Sequence, residues 1–239
     1  MVLQIRVNNE APKPGPELLE EHGLSWSLVK RALISGRAGF FEYTESDIPG
    51  ARGMGTLTRV VSLLSESTKT GGLSEYIRID DHGQVVFLRG QNVKERFVVM
   101  TGDSATGTAV QPCTMSPKGS MTSKKIDINI DLLGGQPSDM LLPASTGAFT
   151  SSVIPDDDYV YTWFLLFYID GMTGTVRSEF SLADEYETMS DGKCQIRHYE
   201  KRIILPDISR EDGLEKLIKP VDPTAYDNGF EVSRRNGSK

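Results

Sequence analysis

The most apolar run in the chain, YVYTWFLLFYI at residues 159–169, carries no charge and is apolar on both of its alternating faces. Tyr159, Tyr161, Trp163, Leu165, Phe167 and Ile169 share one parity; Val160, Thr162, Phe164, Leu166 and Tyr168 share the other. A strand of this kind must be covered on both sides, which predicts a central position in a sheet. As a helix the run would span only about 16 Å, roughly half the hydrocarbon thickness of a bilayer, so a transmembrane helix is excluded. A membrane barrel strand would carry a polar lumen face, which this run lacks. Asp170-Gly171 starts a turn, and TVRSEFSL returns with Val176, Phe180 and Leu182 on an apolar face and Arg177, Glu179 and Ser181 on a polar one. That returning strand is expected to be half buried, with Glu179 in water.

Period-two patterns also predict strands in LSEYIRI, QVVFLR and ERFVVM, with DDHG (80–83) turning between the first two. KKIDINIDLL alternates most cleanly: Ile126, Ile128, Ile130 and Leu132 oppose Lys125, Asp127, Asn129 and Asp131, the pattern of a strand with one wet face. CQIRHYEKRIIL adds a further, bent strand that Pro206 stops. Helical spacing appears earlier, in Leu24, Leu28, Val29, Ala32 and Leu33, with Ser25 as cap and Gly36 as terminator, and again in Leu57, Val60, Val61 and Leu64. FFEYTESDIPGARGMG reads as an irregular loop between these helices. Ser209 and Asp212 match a capping box for a short helix ended by Pro220.

These elements predict an α+β fold in which β predominates: a mostly antiparallel sheet or sandwich with two N-terminal helices and a short C-terminal helix. Residues 1–23 are expected to form a strand (2–7) and a proline-rich arm through PKPGP, and 24–220 a single domain. Residues 102–123 form a long polar loop in this reading, and 221–239 a turn-rich tail.

Composition narrows the function classes. The 239 residues carry 26 basic and 33 acidic side chains, a net charge of -7 that disfavours nucleic acid as a partner, because phosphate neutralisation dominates such binding. Cys113 and Cys194 are the only cysteines, so no disulfide framework is expected. MVLQIRVNNE lacks a basic segment followed by an apolar run, which predicts a cytoplasmic protein.

Motif matches fail on their chemistry. Asp127-Ile-Asn129-Ile-Asp131 has calcium-loop spacing, but Leu132 stands where the sharp turn needs glycine. Gly102 and Gly107 are spaced as in a phosphate loop, but Thr108 replaces the lysine. Ser27-Leu-Val-Lys30 and Lys69-Thr70-Gly71 echo penicillin-recognising serine enzymes without the third signature between them. No cofactor is expected. The residues left to weigh are Cys113 and His198 as a thiol and base, and Asp156, Asp157 and Asp158 as cation ligands. The last three could be joined by Asp184, Glu185, Glu187 and Asp191 of the next loop. Arg197, Lys201 and Arg202 are candidates for contact with a partner.

With few clustered acid, base or metal-binding groups, the leading expectation is a non-catalytic structural or assembly protein. It would work through protein–protein contacts, with protein partners or as a homo-oligomer, and a viral or phage component fits this composition. The alternatives are a hydrolase or transferase whose site is assembled from distant loops, and a soluble protein that forms pores from its β-hairpins.

Overall fold

The structure, a computed structural model, describes residues 15–44, 47–48, 50–90, 94–134 and 160–212. Its centre is the run that is apolar on both faces. β4 (Tyr161–Ile169) lies between β3 (Glu95–Thr101) and β5 (Val176–Thr188) in one six-stranded sheet ordered β1-β2-β3-β4-β5-β6. β1 is Tyr76–Asp81, β2 Gln84–Arg89 and β6 Cys194–Ile204. Every neighbouring pair is antiparallel except β3 and β4, which run parallel with Phe97 beside Trp163 and Val99 beside Leu165. The described strands thus form one mixed, mostly antiparallel sheet, and the fold is α+β.

Both faces of β4 are covered, as its two apolar parities require. Trp163, Leu165, Phe167 and Ile169 pack with Leu19, Val29, Leu33, Val60 and Leu64 from three helices, α1 (Gly15–Glu21), α2 (Trp26–Glu42) and α3 (Ala51–Lys69). Phe164 and Leu166 face the other way, into a layer with Val86, Val98, Met100, Ile196 and Ile126 of α4 (Ser120–Gly134). Trp163 stacks flat on Phe180 of β5 at 5.0 Å, and Phe87 on Phe97 at 4.6 Å, so aromatic pairs tie neighbouring strands.

Ser25 caps α2 as its sequence predicts, its hydroxyl accepting the Leu28 N–H at 3.3 Å. Gly36 does not end that helix. A Cβ there would fall 2.5 Å from Val60 Cγ2, so the glycine marks where α3 crosses α2 closely. The helix runs on to Glu42, and the connection shrinks to residues 43–50, where Gly50 adopts a left-handed φ of 86° before α3.

Two expectations are corrected. The first concerns the arm assigned to residues 1–23, of which 15–21 form α1 instead. Leu19 is fully buried, and a Cβ on Gly15 would meet Ile204 O, so this turn of helix seats directly on the end of β6. The second concerns KKIDINIDLL, which is helical within α4. The helix also claims residues 120–123 of the predicted loop. Its buried face is Thr122, Lys125, Ile126 and Asn129, a helical spacing that goes unnoticed because three of the four are polar. Each is accommodated by a partner. Asn129 Oδ1 accepts the Thr162 N–H at 2.8 Å, while Nδ2 donates to Thr162 O and Ala183 O, both at 2.9 Å. The alternating isoleucines instead fall around the helix, and Ile130 is left exposed.

The strand expected at 2–7, the tail at 221–239 and the helix expected after Ser209 lie outside the described residues. The cap itself is present: Asp212 Oδ2 accepts the Ser209 N–H at 2.7 Å.

Asn129 joins α4 to the two central strands through three backbone groups, and Asn129→Ala strips their partners inside a dry layer. The expected cost is about 3 kcal/mol, read by urea unfolding. Phe164→Asp, on the same layer, is expected to cost several kcal/mol in the same assay, because it buries an unpaired carboxylate.

Candidate functional site

The residues singled out by chemistry are dispersed by the fold. All three histidines take carboxylates at Nδ1: His22 on Glu95 at 2.9 Å, His82 on Asp81 at 2.8 Å and His198 on Asp184 at 2.7 Å. Cys113 and Cys194 are both free thiols. Cys194 is buried in β6, and that burial pushes its thiol pKa up, away from nucleophilic use. Cys113 meets Arg197, whose Nη1 lies 3.5 Å from Sγ, while the adjacent His198 goes to Asp184. The thiol and base considered together therefore have different partners.

Asp156, Asp157 and Asp158 lie outside the described residues. Of the acidic side chains expected in the following loop, Asp184, Glu185 and Glu187 lie within β5 instead and Asp191 in the turn after it; they are not gathered, since Asp184 pairs with His198, Glu187 with Arg197 and Asp191 with Lys193. Among the described residues no group of three or more His, Cys, Asp or Glu side chains could hold a metal ion. Of the candidate contact cations, Arg197 is exposed but tied to Glu187 at 2.7 Å. Lys201 is exposed, and Arg202 is turned inward.

Arg202 leads to a residue that the sequence misplaces. Glu179 sits on the parity expected for β5, but the face it shares with Arg177 and Ser181 is roofed by residues 102–114 rather than by water. Its fully buried carboxylate accepts from Arg202 Nη2 at 2.5 Å and Nε at 3.0 Å, from the Gly107 N–H at 2.8 Å and from Ser181 Oγ at 2.8 Å. Arg202 also donates to Thr108 O at 2.9 Å. Asp103 shapes the rest of the loop by accepting the Ala105 N–H at 3.0 Å and the Cys113 N–H at 3.1 Å. Gly107 can lie this close only without a side chain: it has a φ of 72°, and a Cβ would stand 3.0 Å from Arg177 Cβ. Beneath the loop, Tyr199 is buried, and that burial, reinforced by the charge of Glu179, raises its phenol pKa well above the ordinary value. This region is a clamp: a buried ion pair fastens a long loop to β5 and β6.

The feature that points outward is an apex at one end of the sheet. Phe41 is 52 % exposed, Ile48 80 %, Met54 73 % and Met172 92 %. They are linked through neighbours. Phe41 packs edge-on against Phe40 at 5.2 Å, Phe40 carbons lie 3.7 Å from where a Gly171 Cβ would be, and Gly171 precedes Met172 at the β4–β5 turn. Arg52, in the same first turn of α3 as Met54, stacks over Phe40 at 5.0 Å. Ile48 O accepts the Ala51 N–H at 3.0 Å. Charges of both signs stand in the same segments: Asp47, Arg52 and an Arg59–Glu42 ion pair at the α2–α3 connection and its flanks, and Asp170 at the β4–β5 turn. A methionine at the tip of a turn held by Asp170, where polar residues are the rule, is the sequence signal that could have found this apex.

No protein-family model, curated protein or solved structure matches this chain.

Replacing Glu179 by Lys sets a cation against Arg202 in the clamp. The variant is expected to lose about 3 to 5 kcal/mol of stability by thermal unfolding, where a water-exposed site would change by less than about 0.5 kcal/mol. Limited proteolysis of Glu179→Gln, which keeps the shape and removes the charge, should place new cleavage within residues 102–114.

Proposed function

We propose that the protein is a non-catalytic assembly protein, acting through protein–protein contacts, and that its apex pairs with the apex of a second copy. The observation that carries this reading is a set of four exposed apolar side chains, Phe41, Ile48 and Met54 on the α2–α3 segment and Met172 on the β4–β5 turn, two segments that meet where Phe40 packs on Gly171. Single exposed apolar residues need no explanation, whereas a contiguous patch on a soluble surface marks a contact site. Covering it stabilises an interface by about 25 cal/mol for each Å² of apolar surface removed from water.

The charges around the patch favour a like partner. In a two-fold contact each residue type meets the opposing set, so a rim holding Arg52 together with Asp47 and Asp170 can satisfy itself. A lipid surface selects for clustered cations, and this rim is mixed. Phe40 and Arg52 provide a rigid base beneath the tips, which limits the conformational entropy lost on docking.

Light scattering of the purified full chain over a range of concentrations tests the reading. The parent is expected to be a dimer or larger closed oligomer at micromolar concentration, with Ile48→Asp and Met172→Asp shifted to monomer at unchanged melting temperature. A parent that stays monomeric at high micromolar concentration, or an oligomer indifferent to both substitutions, overturns it.

A further inference from the structure

The two edges of the sheet are treated differently. β6 is covered at both ends: Cys194 exchanges backbone bonds with Lys118 at 2.8 and 2.7 Å, and Gly15 sits against Ile204 O. At the other edge, no strand among the described residues lies outside β1. The backbone groups that β1 presents there follow from its hairpin. His82 and Gly83, with φ of 52° and 82°, form a two-residue turn, and the pair that closes such a turn, Asp81 and Gln84, is hydrogen-bonded. Alternation then directs the backbone groups of Ile79 and Ile77 toward Val86 and Leu88 of β2, and the Gly90 N–H on Glu75 O at 2.7 Å keeps that parity. Arg78 and Asp80 therefore turn their N–H and C=O groups outward, where no backbone group among the described residues meets them.

The side chains at this edge are as open as its backbone. Edge strands are commonly blunted by a lysine, a proline or a bulge, and YIRIDD contains neither residue while its ladder to β2 is unbroken. Arg78 and Asp80 are both exposed and share the face of Tyr76. Arg78 makes no ion pair or side-chain hydrogen bond among the described residues. Asp80 uses Oδ1 to accept the Gly83 N–H at 3.0 Å, which leaves Oδ2 for a second donor. The other face carries Ile77, 46 % exposed, and the half-buried Ile79, which borders the layer under α4.

We infer that β1 pairs antiparallel with β1 of a second copy, about a two-fold axis through Ile79. In this register Arg78 of each copy lies directly across from Asp80 of the other. The parity is the required one, since residues that exchange bonds across an antiparallel pair must both point their backbone groups at the shared edge, as Arg78 and Asp80 do. Opposite charges then face each other on both sides of the axis, and Ile79 meets Ile79 in the close, non-hydrogen-bonded pair. Sliding one copy by two residues sets Arg78 against Arg78 or Asp80 against Asp80, so the charges select a single alignment. The edge is separate from the apex. A strand of six residues makes a small contact, so by itself it forms at higher concentration than the apex pair. Two different two-fold contacts on one chain extend an apex-linked pair into a larger assembly, and that last step alone rests on the assembly reading.

Oxidative trapping of the full chain, with Cys113→Ser removing the half-exposed thiol, tests this register. Ile79→Cys is expected to give a covalent dimer on a non-reducing gel, because position 79 meets itself across the axis. Ile77→Cys, although more exposed, is expected to give little, since the two copies of position 77 stand roughly 13 Å apart, beyond the reach of a disulfide. Arg78→Asp in the Ile79→Cys chain should lower the trapped fraction about tenfold by setting like charges together on both sides of the axis, and adding Asp80→Arg should restore it. Absence of trapping at position 79, equal trapping at 77 and 79, or a double exchange that traps as poorly as Arg78→Asp alone overturns the proposal. Trapping at position 79 that persists in Ile48→Asp supports the edge contact whatever becomes of the apex, and its loss in that variant overturns the edge as a contact of its own.

Discussion

A strand that is apolar on both faces cannot be left at an edge or on a surface, and the rest of the fold follows from covering β4 twice. The helices before the sheet cover one face. The second cover is supplied by the connection between β3 and β4, because these strands run parallel and a parallel pair needs a crossover. That crossover contains α4, whose Ile126 closes the layer with Phe164 and Leu166. The parallel pairing and the second hydrophobic layer are thus one solution to one constraint.

The second layer differs from the first in its chemistry. Beneath α1–α3 the contacts are mainly aromatic and aliphatic, with polar anchors where His22 and the Tyr76 hydroxyl converge on Glu95 and where the buried Arg37 donates to Gly174 O and Ser209 O. Beneath α4 and residues 102–114 the chain buries Lys125 with Asp81, Asn129 with two strand backbones, and Glu179 with Arg202. Buried ion pairs add little net stability, since desolvation offsets attraction, but a wrong register leaves a charge unpaired and is strongly penalised. Directional contacts of this kind suit a layer built from a long loop and one helix, where apolar packing alone would permit several docked positions. Asn129 acts where the β4–β5 register ends, at the pair Trp163 and Leu182, and bonds the next residue of each strand, Thr162 and Ala183.

The parts of the fold readable from sequence are those in which apolar residues alone carry the period. β4, the β4–β5 turn, the capped start of α2 and the three strands before residue 102 are of this kind. α4 was hidden because its buried face is mostly polar, while its isoleucines imitate a strand. Glu179 was placed on the correct side of β5, yet no periodicity says whether a polar face meets water or a polar lid. Gly36 was ambiguous in the same manner, for a glycine that ends a helix and one that lets another helix approach look alike along the chain. The apex was hidden for a further reason: Phe40 and Gly171 are 131 positions apart and become neighbours only when the end of α2 meets the β4–β5 turn.

The apex and the Asn129 anchor lie toward opposite ends of β4. Met172 follows its C-terminal end, whereas Asn129 bonds Thr162 near its start. Seven residue steps, from Thr162 to Ile169, separate those ends, roughly 23 Å at about 3.3 Å for each. The strand between them is held by a parallel neighbour, an antiparallel neighbour and two packed layers, and such an element has one arrangement rather than two. Coupling between distant sites requires an element with two arrangements that both sites bias. A rigid β4 supplies none, so the apex and the Asn129 anchor are structurally independent features of one scaffold.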